Sequence, residues 1–304
     1  MLAGTRVIVA MCVAVGVLAT PAVMRGWGMD VHRLITEKAI DGLPPELKPF
    51  FAPERAFISE HAVDPDLWRV MDLKGDRGEE PPNHFLDMDF EDGAAPPFLN
   101  IPREYDEYVK KYGIGPATRY GRLPWRAEEV YNRLVATMKD IGKPNVPYAA
   151  DNTFYLVAVL AHYVEDAHQP FHGAINYDGQ LTNQRGIHSR FETELVLRHR
   201  AAWKWAPVAV TAIPDFREFM FKTLVESQQL VAPVLAADRK AAGGREFYDD
   251  GYFDALLKGA GPIAERRMNE AASAVASVVH SAWVAAGKPA LPVGGARTPS
   301  RIRR

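Results

Sequence analysis

The chain has 304 residues, of which 47% are hydrophobic and 24% are charged, and its formal net charge is −2. This composition is typical of a soluble globular protein, and the length allows one large domain or two small ones. Without the two arginines of residues 1–26 and the five basic residues of 287–304, the net charge of residues 27–286 is −9. This acidic charge is not the basic footprint expected of a protein that binds long nucleic acids through their phosphates.

The N-terminus carries a long apolar run, VIVAMCVAVGVLA, which begins directly after Arg6. A membrane-spanning helix needs about 20 apolar residues, so this shorter run with its basic flank is typical of a secretory signal peptide. We expect residues 1–26 to be removed and the protein to be secreted or periplasmic. The alternatives are an uncleaved membrane anchor, or cleavage at the small residues Thr20-Pro21-Ala22.

The single cysteine of the chain, Cys12, lies inside this apolar run. The mature protein would therefore have no disulfide and no thiolate ligand for a metal ion. Any metal would have to be bound by imidazole, carboxylate or backbone groups.

Apolar residues at helical spacing follow Asp30 in VHRLITEKAIDGL, which predicts a first helix with Asp30 as N-cap and an end at Gly42. The same spacing predicts further helices at residues 124–140, 150–168, 187–200, 214–237, 247–258 and 262–286.

The rest of the chain shows little periodicity. Segments rich in Gly, Pro, Asn and Asp predict loops at 73–83 and 173–186, and APVAVTAI, residues 206–213, is the only strand candidate. We predict an all-α fold with a single mostly helical domain at 27–286, followed by a disordered basic tail at 287–304.

The stretch HYVEDAHQPFH concentrates ionisable groups on a helix that is otherwise apolar nearly all round. His162 and Asp166 are four residues apart and therefore share one face of that helix. Pro170 should end or bend the helix and turn His172 back toward the same centre.

A second helix, GIHSRFETELV, repeats the pairing with His188 and Glu192. One such pair alone is typical of a buried hydrogen bond. Two pairs joined by a third histidine indicate a metal site, and zinc suits this set of nitrogen and oxygen ligands. The ligand set by itself does not distinguish zinc from other first-row ions.

Two upstream segments complete an ordered pattern: WGMDVH contains Trp27 and His32, and AVDPDLWR followed by NHFLDMD contributes Asp66 and His84. With HxxxDxHQPxH and HxxxE, this order resembles the superfamily that joins zinc-dependent bacterial phospholipase C with the single-strand-specific zinc nucleases of the nuclease P-one type. The resemblance covers about the N-terminal two-thirds of the chain. The complete ordered set is highly specific, whereas any one fragment is weak.

The resemblance implies a mostly helical fold with a cluster of three zinc ions (Zn2+). The first ion would bind Asp66, His84, His162 and Asp166, and the second would bind His172, His188 and Glu192. The third would bind His32, the bridging carboxylate of Asp166, and the free amine and carbonyl of Trp27. A free amine requires Trp27 to be the mature N-terminus. The remaining histidines are expected around the ligands or on the surface: His61, His168, His199 and His280.

The resemblance also implies hydrolysis of a phosphodiester by water that the metal activates. Asp66 would ligate zinc and could also orient or deprotonate the attacking water, and Asp166 would act as the bridging ligand. Arg69 and Asp87 would assist phosphate chemistry. Phe85 would stack on a base of the substrate or pack in the core.

Two further acidic residues, Asp64 and Glu165, lie close in sequence to the candidate ligands. Asp64 can be aligned with the ligand position instead of Asp66, so both remain candidates. Glu165 points about 100° away from Asp166 around the helix and is expected to tolerate substitution.

Two substrates are compatible with the resemblance. The short interval from His172 to His188 and the use of Glu192 resemble phospholipase C, and a Gly-Gly-Asn motif of the nucleases is absent, whereas DLWR and HFLD resemble the nucleases. We expect phospholipase C-like cleavage at a phospholipid headgroup, with release of 5′-nucleotides from single-stranded nucleic acid as the alternative. A non-catalytic exported zinc-binding protein is a third possibility. No protein partner is implied, and a monomer is expected.

Overall fold

The computed structural model of the protein describes residues 27–71 and 79–293. These residues form the α-helices α1 Met29–Asp41, α2 Lys48–Phe51, α3 Arg55–His61, α4 Asp64–Met71, α5 Tyr105–Tyr112, α6 Ile114–Arg119, α7 Leu123–Met138, α8 Ala149–Ala167, α9 Ile187–Ser189, α10 Leu195–Arg198, α11 Phe216–Gln228, α12 Val231–Ala242 and α13 Asp250–Ala285. Short 3-10 helices lie at Ala52–Glu54, Pro81–His84 and Pro170–Gly173, and a π-helix lies at Arg190–Glu194. Within the described ranges there is no strand, only one isolated antiparallel bridge between Leu86 and Gly121. The predicted all-α fold with one helical domain is confirmed.

Helix α8 lies at the centre of the fold. Because it is apolar on nearly every side, it has to be covered on every side, and it contacts α1, α3, α7, α11 and α13. Fourteen of its nineteen residues are buried, and they include His162, Glu165 and Asp166 in its last turns. The C-terminal end of α8 therefore carries three ionisable side chains into the core.

The helix ends where the sequence predicts. Helix α8 stops at Ala167, three residues before Pro170, and Gln169 adopts the extended backbone that a residue before proline favours. The chain then turns through the 3-10 helix Pro170–Gly173, which contains His172.

Three predicted helix boundaries are wrong. Asp30 lies inside α1 and pairs with Arg33, while Gly28 occupies the N-cap position without a side-chain hydrogen bond. The single helix predicted over 214–237 is two helices, α11 and α12. Conversely, the helices predicted at 247–258 and 262–286 are one helix, α13, which runs through Pro262. Packing of α13 against α1, α7, α8 and α12 explains why the missing proline N–H does not break it.

The strand candidate at 206–213 is extended but pairs with a helix instead of a strand. Successive steps of two extended residues span about 6.6 Å, close to the about 6.0 Å of four helical residues. Side chains at every fourth position of α13 therefore match N–H groups two residues apart along the extended chain, except from Ala206 to Ala209, where the step is three residues. The N–H groups of Lys204, Ala206, Ala209, Thr211 and Ile213 donate to Glu265, Asn269, Ser273, Ser277 and Ser281, respectively.

The predicted loop at 173–186 has no helix from 174 to 186, as expected. Of the predicted loop at 73–83, residues 73–78 lie outside the described residues. The same holds for residues 1–26, which carry the signal-peptide prediction, and for 294–304 of the basic tail. None of the helices in the described ranges is both long and apolar enough to cross a membrane.

Candidate metal centre

Eight side chains with metal-binding atoms converge near the end of α8, and all eight are buried. They come from separate elements: His32 from α1, Asp66 from α4, His84 from a 3-10 helix, His162 and Asp166 from α8, His172 from the next 3-10 helix, His188 from α9 and Glu192 from the π-helix. Their ligand atoms form three groups, each within 4.8 Å: His32, His162 and Asp166; Asp66, His84 and His162; and His172, His188 and Glu192. Each group could hold a metal ion.

The tightest contacts lie around Asp166. Its Oδ2 atom is 2.9 Å from Nδ1 of His84 and 3.1 Å from Nε2 of His162, and these two nitrogens are 3.0 Å apart. Ligand atoms about 2.0–2.1 Å from a tetrahedral zinc ion are about 3.3 Å from each other. The three atoms therefore have the mutual spacing of ligands around one ion, and Asp66 Oδ1 lies 4.0 Å from the same His84 nitrogen.

The other oxygen of Asp166 faces different partners. Its Oδ1 atom lies 3.5 Å from Nε2 of His32 and 3.6 Å from Nδ1 of His172. His172 belongs to the third group. In that group, Nε2 of His188 is 2.8 Å from Oε2 of Glu192. The carboxylate of Asp166 thus stands between the groups, with one oxygen toward each side.

Hydrogen bonds to backbone carbonyls fix the tautomer of three of these histidines. Nδ1 of His162 contacts the carbonyl of Ala62 at 2.8 Å, Nδ1 of His188 contacts that of Tyr177 at 2.9 Å, and Nδ1 of His172 contacts that of His84 at 2.5 Å. A carbonyl oxygen can only accept, so Nδ1 must donate and the neutral ring keeps its lone pair on Nε2. This is the arrangement that imidazole ligands of metals adopt.

Side chains behind the ligands were not identified from the sequence. Gln169 Nε2 donates to Glu192 Oε2 at 2.7 Å. Glu80 Oε1 lies 3.5 Å from His84 Nε2 and accepts from the hydroxyl of Tyr163 at 2.5 Å. Their signals were weak: Gln169 precedes Pro170 within HQP, and Glu80 is four residues before His84.

The contacts of Glu165 count against the expectation that it tolerates substitution far better than Asp166. Its side chain is completely buried, and Oε2 lies 2.6 Å from Nδ1 of His32, while Oε1 accepts from the hydroxyl of Thr36 at 2.7 Å. The angle around α8 does separate Glu165 from Asp166, but α1 packs against that second face and places His32 there.

The buried atoms of these side chains that lack hydrogen-bond partners fit a metal site. Seven buried atoms of the eight side chains have no hydrogen-bond partner: His32 Nε2, Asp66 Oδ1 and Oδ2, His84 Nε2, Asp166 Oδ1, His188 Nε2 and Glu192 Oε1. Unpaired buried polar atoms are costly and rare. One of the seven, His84 Nε2, faces Glu80 at 3.5 Å. The other six belong to imidazoles and carboxylates whose lone pairs converge in the three groups, which is the chemistry of a site for a divalent cation.

The protonation of the metal-free centre is strongly perturbed. Burial disfavours charge on His32, but its two carboxylate neighbours outweigh burial and raise its pKa to about 10. Burial likewise disfavours ionised Asp166, yet positive charge on adjacent imidazoles holds its pKa well below the usual range. Burial raises the pKa of Glu192 to about 7. Protons thus occupy positions that a metal ion would have to take over.

Of the two aspartates at the start of α4, Asp66 faces the centre. Its side chain is buried, and Nη2 of Arg69 lies 3.0 Å from its Oδ1, an ion-pair distance without the alignment of a hydrogen bond. Asp64 instead contacts Nδ1 of His61 at 2.8 Å. The geometry therefore favours Asp66 over Asp64 as the ligand and brings Arg69 close to it.

Two other predicted residues lie next to the centre and not in it. Phe85 and Asp87 belong to the extended segment after His84, and Asp87 donates its backbone N–H to the carbonyl of Tyr120 at 2.8 Å. Burial, followed by the charge of Asp89, raises the pKa of Asp87 well above its usual range. Asp87 does not join any of the three metal groups in the described part of the chain. Phe85 is half-buried.

Trp27 is the first described residue, and its indole is buried. The ring N–H donates to the carbonyl of Glu165 at 2.9 Å, and the ring packs on Phe191. The predicted ligation by the Trp27 amine depends on residues 1–26, which lie outside the described residues.

The four histidines left without a ligand role lie elsewhere, as expected. His168 is buried and contacts the carbonyl of Val164, and His61, His199 and His280 are half-buried.

A groove of about 870 Å³ lies beside the centre and is lined by none of the eight side chains. One wall is formed by Asn83, whose amide donates to Glu80 at 3.0 Å, and by Arg122, whose Nε donates to Asn83 at 2.7 Å. Asn83 thus connects the wall of the groove to Glu80, the carboxylate behind His84, and no ligand atom lines the groove.

Comparison with known proteins gives distant likenesses among solved structures only. No protein-family model matches the chain, and no curated protein matches it by sequence. Among solved structures, the fold is similar to that of the alpha-toxin of Clostridium perfringens from an avian strain, with 14% sequence identity and a TM-score of 0.49. The match covers 86% of this chain and 65% of the toxin chain, so this chain spans about two-thirds of the length of that neighbour.

Proposed function

We propose that this protein is a zinc-dependent hydrolase that cleaves phosphodiester bonds at the candidate metal centre. The observation that carries the proposal is the convergence of six buried, unpartnered nitrogen and oxygen atoms from separate helices and turns. The ordered motif pattern of the sequence, which resembles a superfamily of zinc phosphodiesterases, supports it independently.

Three ions, one for each group of ligands, are proposed. The ion at Asp66 and His84 would also take His162, and Asp166 would bridge to the ion at His32, because its two oxygens face opposite sides. The remaining ion would bind His172, His188 and Glu192. The amine of Trp27 would complete the ligands of the His32 ion.

Bound zinc supplies Lewis-acid charge that stabilises a developing phosphoryl oxyanion and makes water acidic enough to attack near neutral pH. Asp66 has a second oxygen left after binding one ion and can accept the proton of that water. Burial opposes its ionisation, but adjacent imidazoles and Arg69 lower its pKa, so the carboxylate is available as a base. Arg69 has Nε and Nη2 without hydrogen-bond partners and can donate both to phosphoryl oxygens.

The substrate that we favour is a phospholipid headgroup, in a secreted or periplasmic setting. The net charge of −9 over residues 27–286 disfavours a polyanionic substrate, and Glu192 and the short interval before His188 support the phospholipase C-like reading. Half-buried Phe85, next to His84, favours single-stranded nucleic acid, because an accessible ring can stack on a base. The third candidate is a zinc-binding protein without turnover. It would not explain why two nitrogens of Arg69 lack hydrogen-bond partners.

Hydrolysis of bis-p-nitrophenyl phosphate tests the activity. We expect p-nitrophenol release that a chelator abolishes and zinc restores. His188→Ala should lower both zinc content and rate, whereas the control His280→Ala, on the far end of α13, should change neither. Hydrolysis that survives removal of all metal would contradict the proposal, and a zinc-loaded protein without turnover would support the non-catalytic candidate.

A second pair of assays distinguishes the substrates. Release of phosphocholine from phosphatidylcholine is expected, with little release of 5′-nucleotides from single-stranded DNA. If nucleotides are the main product, Phe85→Ala should raise the KM for DNA, since stacking on one base contributes about 1–3 kcal/mol.

A further inference from the structure

Glu165 contacts two residues that approach the same side of Asp166. Its carboxylate lies 2.6 Å from Nδ1 of His32, and its backbone carbonyl accepts the indole N–H of Trp27 at 2.9 Å. The hydroxyl of Thr36, one helical turn after His32, donates to the other carboxylate oxygen at 2.7 Å. All of these side chains are fully buried, so the contacts have little freedom to rearrange.

The carboxylate determines which nitrogen of His32 can bind a metal. A carboxylate accepts a hydrogen bond from Nδ1, so a proton stays on Nδ1, and the neutral ring, which is the form that binds a metal, has its lone pair on Nε2. Nε2 has no hydrogen-bond partner and lies 3.5 Å from Asp166 Oδ1. Thr36 holds the carboxylate in this position from the other side.

His32 differs in this respect from three of the other four histidines of the centre; in the fourth, His84, the outer nitrogen lies 3.5 Å from the carboxylate of Glu80. His162, His172 and His188 each place Nδ1 against a neutral backbone carbonyl, whereas His32 places it against a buried carboxylate. A carboxylate partner orients the ring and makes the imidazole a stronger ligand.

We infer that Glu165 is the positioning residue of one metal site, the site that contains His32, and that the other two sites do not depend on it. The inference rests on the proposed function, because it presumes that the centre binds metal. It assigns Glu165 two tasks: its side chain sets the tautomer and orientation of His32, and its carbonyl anchors Trp27 beside it.

Glu165→Gln tests the inference through metal binding, without reference to turnover. The amide can present its NH2 group to Nδ1, which would force the proton of His32 onto Nε2 and block ligation. We expect the affinity for one zinc ion to fall about 10–100-fold and those for the others to stay unchanged. Zinc titration of the metal-free protein, with elemental analysis at limiting zinc, measures this. The control is Glu37→Gln, which removes a carboxylate of α1 that pairs with Arg55 and should leave all affinities unchanged.

A double-mutant comparison distinguishes positioning from a general structural role. In a His32→Ala background, Glu165→Gln should have no further effect on zinc affinity, because the residue that it positions is gone. A further loss of the same size would overturn the inference, as would a Glu165→Gln protein with unchanged zinc affinities.

If Glu165→Gln does not yield folded protein, Thr36→Val decides the question. This substitution removes the second hydrogen bond to the carboxylate with almost no change in side-chain volume. It should lower the affinity for the same single zinc ion. Unchanged affinity would overturn the inference. A wild-type protein that binds no metal would overturn the proposed function itself, which distinguishes the two failures.

Discussion

Removal of the bound metal should strongly destabilise the folded protein. Without metal, six buried polar atoms that face the centre lack hydrogen-bond partners. Each such atom costs about 1–3 kcal/mol, and the lower bound, which allows for water that enters the emptied centre, sums to about 6 kcal/mol. The whole free energy of unfolding of a typical protein is about 5–15 kcal/mol. Since 1 kcal/mol shifts the Tm of a protein of 150–250 residues by about 2–4 °C, we expect chelation to lower Tm by about 12 °C or more.

Thermal unfolding followed by circular dichroism, with chelator and after zinc is added back, measures this shift. His188→Ala, which removes a ligand of one group, should show a smaller chelator-dependent shift than the wild type. Elemental analysis must show that the metal has left. If it has left and Tm falls by less than about 5 °C, the unpaired atoms are not stabilised by metal and the reasoning is refuted.

Four substitutions of aspartates give further predictions. Asp166→Asn should lower zinc content by more than one ion, since its two oxygens face different groups; full zinc content in elemental analysis would exclude it as a bridge. Asp66→Asn should abolish zinc-dependent hydrolysis, whereas Asp64→Asn should retain most of it. The reverse result would identify Asp64, and not Asp66, as the ligand. Asp87→Asn should raise Tm at pH 7, because a raised pKa in the folded state means that the ionised carboxylate destabilises the fold. That gain should shrink as the pH falls toward the unfolded pKa of about 3.9, and a pH-independent gain in thermal unfolding would contradict this cause.

The sequence by itself determined the parts of the centre that one helix brings together. His162 and Asp166 share a face because the helical repeat places residues four apart side by side, and the same repeat pairs His188 with Glu192. The apolar surroundings of His162 predicted that this face is buried, and Pro170 predicted where the helix ends. These inferences needed only local geometry, which the backbone hydrogen bonds of a helix fix.

Only the tertiary structure separates Asp64 from Asp66, by placing Asp66 in a group of candidate ligands, and gives Glu165 its contacts. Both placements depend on which residues pack against a helix face. Helix α1 brings His32 to Glu165 across 133 positions of sequence, and Asp64 contacts His61. The extended chain along α13 is a similar case, since its partners lie more than 60 residues away. Such contacts arise from the packing of whole elements, and no local spacing records them, because the helical repeat relates residues only within the same helix.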